Sequence, residues 1–309
     1  MKSKKFKKIR RKIRYSVILG LARFMIFISR FFPRTLWLTL CGWLGLLAYH
    51  FAGRSRSLTL KHLTLVFGNE KTAEEIKSLS REVFIMMGKN GGDIIRSFNY
   101  HKPSDFDKFR ITHNPEIAEK AYAKGKGVIF LTGHCGAFEL AGTEMSLRGY
   151  KPLIIGTPLK DNRLNSLLWR QRSKLGAAAI ERGKETVRML KTLKSGGTIG
   201  ILIDQDTRVK SVFVDFLGIP CATPIGAAVL ALKTEAVVVP IFLHLREDGM
   251  QEVNFYPEVE LVRTGNEEED IRINTQKFND IIGQEIRKHP AQWVWIHERW
   301  KTKPGEEIR

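Results

Sequence analysis

The stretch "VIFLTGHCGAFELAG", residues 128–142, contains the transition that decides the fold. Five β-forming residues, Val128–Thr132, run into a Gly-His-Cys-Gly turn, and helix-compatible residues follow. A buried strand that turns directly into a helix is the repeating unit of α/β proteins. His134 is therefore predicted just beyond the carboxyl end of a strand, where open α/β sheets bind their ligands.

Strand-like and helix-like segments alternate from residue 127 onward. Further apolar runs occupy residues 152–155, 177–180, 198–203, 237–245 and 253–256, and amphipathic segments occupy 137–148, 161–174, 184–194, 224–233 and about 269–288. This alternation predicts an α/β domain with a largely parallel mixed sheet flanked by helices. No internal repeat or low-complexity linker interrupts it.

The chain divides into three predicted parts. Residues 1–14 form a polybasic tail, residues 15–52 form membrane-anchor helices, and residues 53–309 form the α/β domain, with a helical lead-in over residues 53–120. In that lead-in, Thr72 and Glu75 stand three residues apart, as in the capping box that begins many helices.

The N-terminal composition predicts a membrane anchor. The tail holds nine of the lysines and arginines and no acid, which leaves +10 of the +19 net charge for residues 15–309. Residues 35–52 contain no Asp, Glu, Lys or Arg, and as a helix they would extend roughly 27 Å, close to the apolar thickness of a bilayer. The long basic stretch and the lack of a cleavage pattern favour a retained anchor over a signal peptide.

Basic residues flank the anchor on both sides. The nine cations of the tail precede it, and Arg54, Arg56 and Lys61 follow it. The positive-inside rule would place both flanks in the cytoplasm. We therefore expect an interfacial or re-entrant pair of helices, with a single span as the alternative.

His134 and Glu139 form the first candidate site. With 8 histidines and 32 acids among 309 residues, a pair at this spacing is expected about once by chance, and a turn histidine beside a first-turn glutamate is the plain alternative. The two side chains can meet only if His134 precedes the helix and Glu139 lies in its first turn. A carboxylate on one imidazole nitrogen would then orient the other nitrogen to take a proton from a substrate hydroxyl.

Other polar residues are weaker candidates. Asp204 and Asp206 follow a predicted strand, and they could orient His134, a cation or the substrate, or could serve only the turn. Arg208 and Lys210 could face a phosphate or an acidic partner, or only solvent. The three cysteines have no metal-ligand spacing, and Cys135, next to His134, is not expected to be a nucleophile.

Several stretches together resemble a known family. "HCGAFE" fits the His-x4-Asp/Glu box of glycerolipid and lipid A acyltransferases. "SLTLKHLTLVFGNEKTAEE", "GILIDQDTRVKSVFVDFLGIPCATPIGAAVLALKTEAVVVP" and "HPAQWVWIHERWKTKP" are similar, in order, to further segments of one branch. From about residue 10 to 304 the chain resembles the late lipid A acyltransferases of Gram-negative bacteria.

The resemblance implies transfer of a fatty acyl chain from acyl carrier protein, or less often coenzyme A, to a hydroxyl of a lipid A precursor or similar glycolipid. The reaction would take place at the bacterial inner membrane, with the catalytic domain facing the cytoplasm. His134 would be the base and Glu139 its orienting partner, and Asp204 gains a site role. No metal or cofactor is expected, and an acidic carrier protein suits the remaining positive charge.

The resemblance also bears on two further features of the site. An oxyanion donor is implied, either a backbone amide near residues 133–136 or a side chain. Where the family often has Arg-Pro, this chain has Thr157-Pro158, so Lys160 or Arg163 are the candidates to bind a phosphate. The other cations nearby, Arg170, Arg172 and Lys174, fit the polar outer face of a helix.

Three alternatives remain at this point, one of which is a non-catalytic member of the acyltransferase fold. A lysophospholipid acyltransferase would share the histidine box and the anchor. A membrane-tethered nucleic-acid-binding protein would use the basic tail, but the chain has no zinc spacing, RNA-binding motif or helix-turn-helix signature. Nucleic acid is therefore not expected as a partner.

Overall fold

Helices and strands alternate through most of the chain. The computed structural model describes residues 2–305. Its helices are α1 (Lys2–Ser29), α2 (Arg34–Phe51), α3 (Gly53–Phe67), α4 (Ala73–Ser97), α5 (Ser104–Asp107), α6 (Pro115–Ala123), α7 (Glu139–Leu147), α8 (Asn162–Arg172), α9 (Thr186–Lys194), α10 (Gly226–Thr234) and α11 (Glu267–Lys288). Its strands are β1 (Arg110–His113), β2 (Val128–Thr132), β3 (Leu153–Gly156), β4 (Ala178–Glu181), β5 (Thr198–Leu202), β6 (Ser211–Phe216), β7 (Ile219–Pro224), β8 (Val237–Leu245) and β9 (Gln251–Phe255).

Seven strands form one mixed sheet in the order β1-β9-β8-β2-β5-β3-β4. The five strands from β8 to β4 run parallel to one another, while β9 is antiparallel to β8 and β1 is parallel to β9. The prediction of a largely parallel mixed sheet flanked by helices is confirmed. Strand β2 lies between β8 and β5, so the histidine that follows it emerges near the middle of the sheet.

Strand β2 is buried on both faces. Ile129 and Leu131 belong to the apolar cluster on one face of the sheet, and Val128 and Phe130 belong to the cluster on the other. Successive side chains of a strand point to opposite faces, which explains why this run is apolar throughout and not alternating. Each of these side chains contributes about 1.5–3 kcal/mol through burial, so the start of the following loop is firmly placed.

One prediction about the strands is wrong, and one pair of strands was not predicted. The lead-in is not helical throughout, because residues 110–113 form β1 and pair with β9. The antiparallel hairpin of β6 and β7 was not predicted, and its turn places Leu217 and Gly218 at φ 56° and 81°. A hairpin turn of this kind normally contains Asn-Gly or Asp-Gly. Leu217 stands in place of the Asn or Asp, so the sequence lacks the dipeptide that usually predicts a hairpin.

The N-terminal helices pack on the domain through α4. The predicted tail and the first apolar segment form one continuous helix, α1, and α2 lies against α4 at a very short distance. A Cβ on Gly45 would collide with the carbonyl group of Phe84, so only glycine permits this approach. Arg34 Nε donates a hydrogen bond of 2.8 Å to the buried carboxylate of Asp93 and ties the start of α2 to α4. The predicted capping box of Thr72 and Glu75 is confirmed at the start of α4.

The opposite faces of α1 and α2 are exposed and apolar. Their exposed side chains include Ile13, Val17, Leu21, Phe24, Phe27, Leu40, Trp43, Leu44, Leu47 and Phe51. Within residues 2–305 no helix by itself has both the length and the apolar composition of a membrane span. Helices α2 and α3 meet both conditions only as a pair, and the pair is bent by 93°.

Candidate active site

The loops after β2 and β5 meet at one edge of the sheet. These strands are parallel neighbours, and Thr132 lies beside Leu202 in the register. Because both chains leave the sheet at the same level, His134 and Asp204 come together although 70 residues separate them. The structure therefore brings together His134 and Asp204, which the sequence placed after two separate strands.

Asp204 is the carboxylate that contacts His134. Its Oδ1 lies 2.7 Å from His134 Nδ1, and its Oδ2 accepts the backbone N–H of His134, also at 2.7 Å. The indole N–H of Trp293 donates to the same Oδ2 at 2.8 Å. Asp204 is completely buried, whereas the side chain of His134 is 18% exposed. The arrangement places the proton on Nδ1 and leaves Nε2 as the nitrogen available outside the pair.

The electrostatic environment keeps Asp204 ionised. Burial alone would raise the pKa of this carboxyl. The positive charge of His134 and its hydrogen bonds lower the pKa, and the hydrogen bond from Trp293 lowers it further, so the pKa lies well below its usual range. A permanently ionised partner fixes the imidazole tautomer and stabilises the imidazolium that forms when Nε2 takes a proton.

The predicted pairing of Glu139 with His134 is wrong. Glu139 does lie where the sequence places it, at the first residue of α7, but its carboxylate forms a two-pronged ion pair with Arg172. Arg172 Nε donates to Glu139 Oε2 at 2.8 Å. A guanidinium matches a carboxylate in this bidentate geometry, and Asp204 already occupies Nδ1 of His134. Arg172 therefore lies at the site and not on the outer helix face where the sequence predicted it.

His134 opens onto a cavity of about 170 Å³. The polar part of its wall comprises Thr132, His134, Glu139, Thr157, Arg172, Arg182, Gln205 and Thr207, and the apolar part comprises Phe138, Ala141, Met145, Ile154, Ile155 and Leu202, with Gly142, Gly156 and Gly200. The ring of Phe138 stands edge-on to the imidazole of His134, with 4.7 Å between the ring centroids. The base candidate thus stands where a polar wall meets an apolar one.

Two glycines keep the apolar part open. A Cβ on Gly142 would collide with the Cδ1 of Ile154, and a Cβ on Gly200 would stand 3.2 Å from the Cε of Met145. Any larger residue at position 142 would therefore fill the space or displace Ile154. The cavity combines one titratable base with room for an apolar chain.

Two backbone amides of the loop are already used. The amide of His134 donates to Asp204, and the amide of Gly136 donates to the carbonyl oxygen of Gln292 at 2.7 Å. Neither amide is free to stabilise an oxyanion. Of the two predicted kinds of oxyanion donor, backbone amide and side chain, these contacts favour a side chain. Cys135 is buried, and burial raises the pKa of its thiol well above the usual value, which opposes formation of a nucleophilic thiolate.

The remaining predicted site residues lie away from the cavity. Lys160 and Arg208 are exposed and are not part of its lining. Arg163 is held by Asp161, the N-cap residue of α8, and also donates to Ser16 Oγ at 3.0 Å. Asp206 accepts the amide of Thr302 at 2.8 Å and closes the C-terminal segment onto the domain.

Sequence reasoning missed the parts of Trp293, Arg172 and Arg182 in this site. Trp293 lies in the closing motif, and no local pattern there connects it with His134. A buried indole N–H usually finds an acceptor, and that rule was the available signal for a polar partner. The rings of Trp293 and Trp295 are both buried, so these tryptophans are core residues.

One group of potential metal ligands occurs among the described residues. It comprises His244, Glu285 and His289, whose ligand atoms lie within 4.8 Å of one another. His244 Nε2 lies 2.8 Å from Glu285 Oε1, and the rings of His244 and His289 stack at 3.8 Å with 24° between their planes. His244 and Glu285 therefore already pair with each other, and His289 contacts His244 through its ring face.

The chain is similar to known proteins over most of its length. A family model described as bacterial lipid A biosynthesis acyltransferase matches residues 3–302. A lipid A biosynthesis acyltransferase of Haemophilus influenzae is 27% identical over 92% of this chain and 88% of its own length. A lipid A biosynthesis palmitoleoyltransferase of Escherichia coli is 26% identical over 85% of this chain and 84% of its own.

A third relative differs in the lipid it is named for. A phosphatidylinositol mannoside acyltransferase of Mycobacterium tuberculosis is 24% identical over 74% of this chain and 69% of its own length. Acyl transfer is common to the named activities of all three relatives. The chain belongs to the bacterial lipid A biosynthesis acyltransferase family, and it is an acyltransferase.

Proposed function

We propose that this enzyme moves a fatty acyl chain from a thioester of acyl carrier protein, or of coenzyme A, to a hydroxyl of a lipid A precursor or a similar glycolipid. The observation that carries the proposal is the His134–Asp204 pair at the mouth of a cavity with an apolar wall. A base and an apolar pocket are what an acyl chain and a neutral hydroxyl require. The catalytic groups are all side chains, so no metal or cofactor takes part in the proposal.

The proposed reaction begins at His134 Nε2. This nitrogen takes the proton of the acceptor hydroxyl while the hydroxyl oxygen attacks the thioester carbonyl carbon. The tetrahedral intermediate collapses, the carbon–sulfur bond breaks, and the imidazolium returns the proton to the departing thiolate. The ionised Asp204 stabilises the imidazolium between these two steps.

The negative charge on the thioester oxygen needs a donor in the same cavity. We assign this donor role to Arg172, which lines the wall of the cavity. The bidentate contact with Glu139 fixes the guanidinium of Arg172, so the structural role we assign to Glu139 is to hold Arg172 and not His134. A preorganised cation needs little reorganisation when the charge develops.

The apolar wall is the proposed acyl site. Gly142→Leu would place a side chain where the Cβ alone already meets Ile154. We expect this variant to lose activity with long acyl donors by about 10-fold more than with short ones, because each excluded methylene forfeits about 0.8 kcal/mol of burial. Donors of increasing chain length, compared in one assay, measure the effect. An equal loss at every chain length would contradict the assignment.

We propose that α1 and α2 attach the enzyme to the cytoplasmic face of the bacterial inner membrane. Their exposed apolar faces adjoin the basic tail, and stable membrane binding usually needs two such signals. The hydrogen bond from Arg163 to Ser16 places α1 beside α8, whose last residue, Arg172, lines the cavity. A lipid acceptor could therefore reach the site from the membrane surface.

Vesicle sedimentation tests this attachment. The substitution of Trp43 and Phe51, which are 67% and 83% exposed, by serine should weaken binding to phosphatidylglycerol vesicles without loss of thermal stability. Removal of residues 1–14 should abolish the preference for anionic over neutral vesicles. Unchanged binding in both variants would refute the proposed surface.

The activity itself is tested with purified enzyme and defined substrates. Acyl carrier protein and coenzyme A thioesters would each be offered with a lipid A precursor, a mannosylated phosphoinositide and lysophosphatidate, and the products identified by mass spectrometry. We expect acylation of a glycolipid by the wild type and a far lower rate with His134→Ala. The mannosylated lipid is included because one relative is named for it. Acylation of lysophosphatidate alone would overturn the proposed acceptor class.

A further inference from the structure

The cavity contains a second arginine in a different electrostatic setting. Arg182 directly follows β4, and its backbone N–H is held by the carbonyl oxygen of Gly156 at 2.9 Å. Its Nη1 donates to the hydroxyl oxygen of Thr207 at 3.2 Å. Among residues 2–305, no carboxylate forms an ion pair with Arg182.

Arg172 has an anionic partner and Arg182 does not, within the described residues. The charge of Arg172 is balanced by Glu139, whereas in the part of the chain that the structure describes the guanidinium of Arg182 has only the neutral hydroxyl of Thr207 as a side-chain partner. Arg182 is partly buried; burial lowers the pKa of its guanidinium and the nearby positive charge of Arg172 adds to that effect, against the attraction of Asp204. A guanidinium stays protonated in such places, so its charge lacks the partner that partly buried cations normally have.

The neighbouring groups fit an anion. Thr207 accepts from Arg182, so its own hydroxyl proton remains available, and Gln205 contributes an amide to the same wall. The planar guanidinium presents a fork of N–H donors that matches two oxygens of a phosphate. Lys160 and Arg163, which the sequence predicted as phosphate-binding residues, do not line this cavity and so cannot bind a phosphate there.

We propose that Arg182, together with Thr207, binds a phosphate group of the substrate and makes the enzyme selective for phosphate-bearing substrates. This inference rests on the proposed function of the same cavity. The phosphate has two possible sources with the same chemistry, namely a phosphate on the lipid acceptor or the phosphate in the pantetheine arm of the thioester donor. The experiment therefore compares matched substrates with and without each of these groups.

The kinetic test uses Arg182→Gln, Arg182→Lys and the control Arg170→Gln, which changes an exposed arginine of α8 outside the cavity. Acceptors with and without their phosphate are one pair, and acyl-coenzyme A and acyl-pantetheine are the other. We expect Arg182→Gln to raise KM about 10–100-fold for the phosphate-bearing member of one pair, and to leave its phosphate-free partner within about 2-fold. Arg182→Lys should recover part of the loss, and Arg170→Gln should behave as the wild type. The pair that responds identifies the source of the phosphate.

Equal losses for both members of each pair, or no change in KM, would overturn the assignment. Binding without turnover separates this inference from the proposed function. Inorganic pyrophosphate should raise the Tm of the wild type above that in sodium chloride of matched ionic strength, and should not do so for Arg182→Gln. If this Arg182-dependent shift occurs but no lipid is acylated, the proposed function fails and the anion site stands. If acylation occurs without any phosphate selectivity or pyrophosphate shift, the anion site fails.

Discussion

Two histidine–carboxylate pairs occupy neighbouring strands of the sheet. His134 follows β2 and lies 2.7 Å from Asp204, and His244 lies in β8 with 2.8 Å between it and Glu285. In each pair the carboxylate is almost completely buried. The distances and residue types are those expected of a base and its orienting acid. The carboxylate meets Nδ1 in His134 and Nε2 in His244, and the surroundings of the two pairs also differ.

The surroundings separate the pair that we propose as the base and its orienting acid from a structural pair. The side chain of His134 is 18% exposed and borders an apolar wall, whereas that of His244 is 2% exposed and stacked on His289. The cavity beside His244 is lined by charged groups such as Lys89, Arg246 and Asp248, which do not suit an acyl chain. A histidine–carboxylate pair can act on a lipid substrate only where its second nitrogen and an apolar wall share one cavity.

The largest expected effect is on the activity of the exposed pair. His134→Ala removes the proposed base and should lower kcat/KM on the order of 10²–10⁴-fold. The measurement is acyl transfer at saturating donor, with the amount of folded protein checked by thermal unfolding. Activity within a few-fold of the wild type would show that another group takes the proton.

A substitution in the His244–Glu285 pair should lower the unfolding free energy and leave the activity nearly unchanged. His244→Ala removes a buried ring and its hydrogen bond to Glu285, and should cost about 2–4 kcal/mol of unfolding free energy. Activity of the folded fraction should stay within about 3-fold of the wild type. Denaturant unfolding and acyl transfer on the same preparation measure both. Loss of activity at unchanged stability would place the second pair in the chemistry.

The pH dependence of stability should sharpen the comparison. Burial would raise the pKa of Glu285, but hydrogen bonds from His244 and Tyr256 and the charge of His244 lower it to about 2. A lowered pKa means that the unfolded state takes up a proton first as the pH falls, so stability from Glu285 is present at neutral pH and is lost between about 4.5 and about 2. The stability difference between the wild type and Glu285→Gln should therefore shrink over this interval. A constant difference would contradict the assigned pKa.

A smaller loss of stability is expected when a second hydrogen-bond donor to Glu285 is removed. Tyr256→Phe removes a hydroxyl that donates to Glu285 Oε2 at 2.7 Å. The loss should be about 1 kcal/mol of unfolding free energy, with no change in acyl transfer. A drop in Tm that is as large as that of His244→Ala would mean that the hydroxyl, and not the imidazole, is the main partner of Glu285.

Features that depend on local sequence could be predicted. The bounds predicted for β2 and β8 match the structure because both are long apolar runs, and the places of His134 and Glu139 follow from the strand-to-helix turn. Strand β1 escaped prediction because four residues without a clear apolar pattern resemble a loop. The domain boundaries and the membrane attachment stay predictions.

Features that depend on strand order could not be predicted. The partner of His134 is decided by the adjacency of β2 and β5, which no local pattern encodes, and this is why Asp204 and not Glu139 reaches the imidazole. The same holds for Arg172. The sequence of α8 predicts that this residue lies on a polar outer face, but α7 packs so that Glu139 lies opposite it. Arg182 depends likewise on how the end of β4 approaches the loop after β5.

The most direct test of the central claim compares Asp204→Asn with Glu139→Gln in one acyl-transfer assay, with folding verified for both. If Asp204 holds the tautomer of His134, Asp204→Asn should lower kcat on the order of 10²–10⁴-fold with little change in KM. Glu139→Gln should lower activity only about 10-fold, since it loosens Arg172 and leaves the base intact. A folded Asp204→Asn enzyme that is more active than Glu139→Gln would contradict this account.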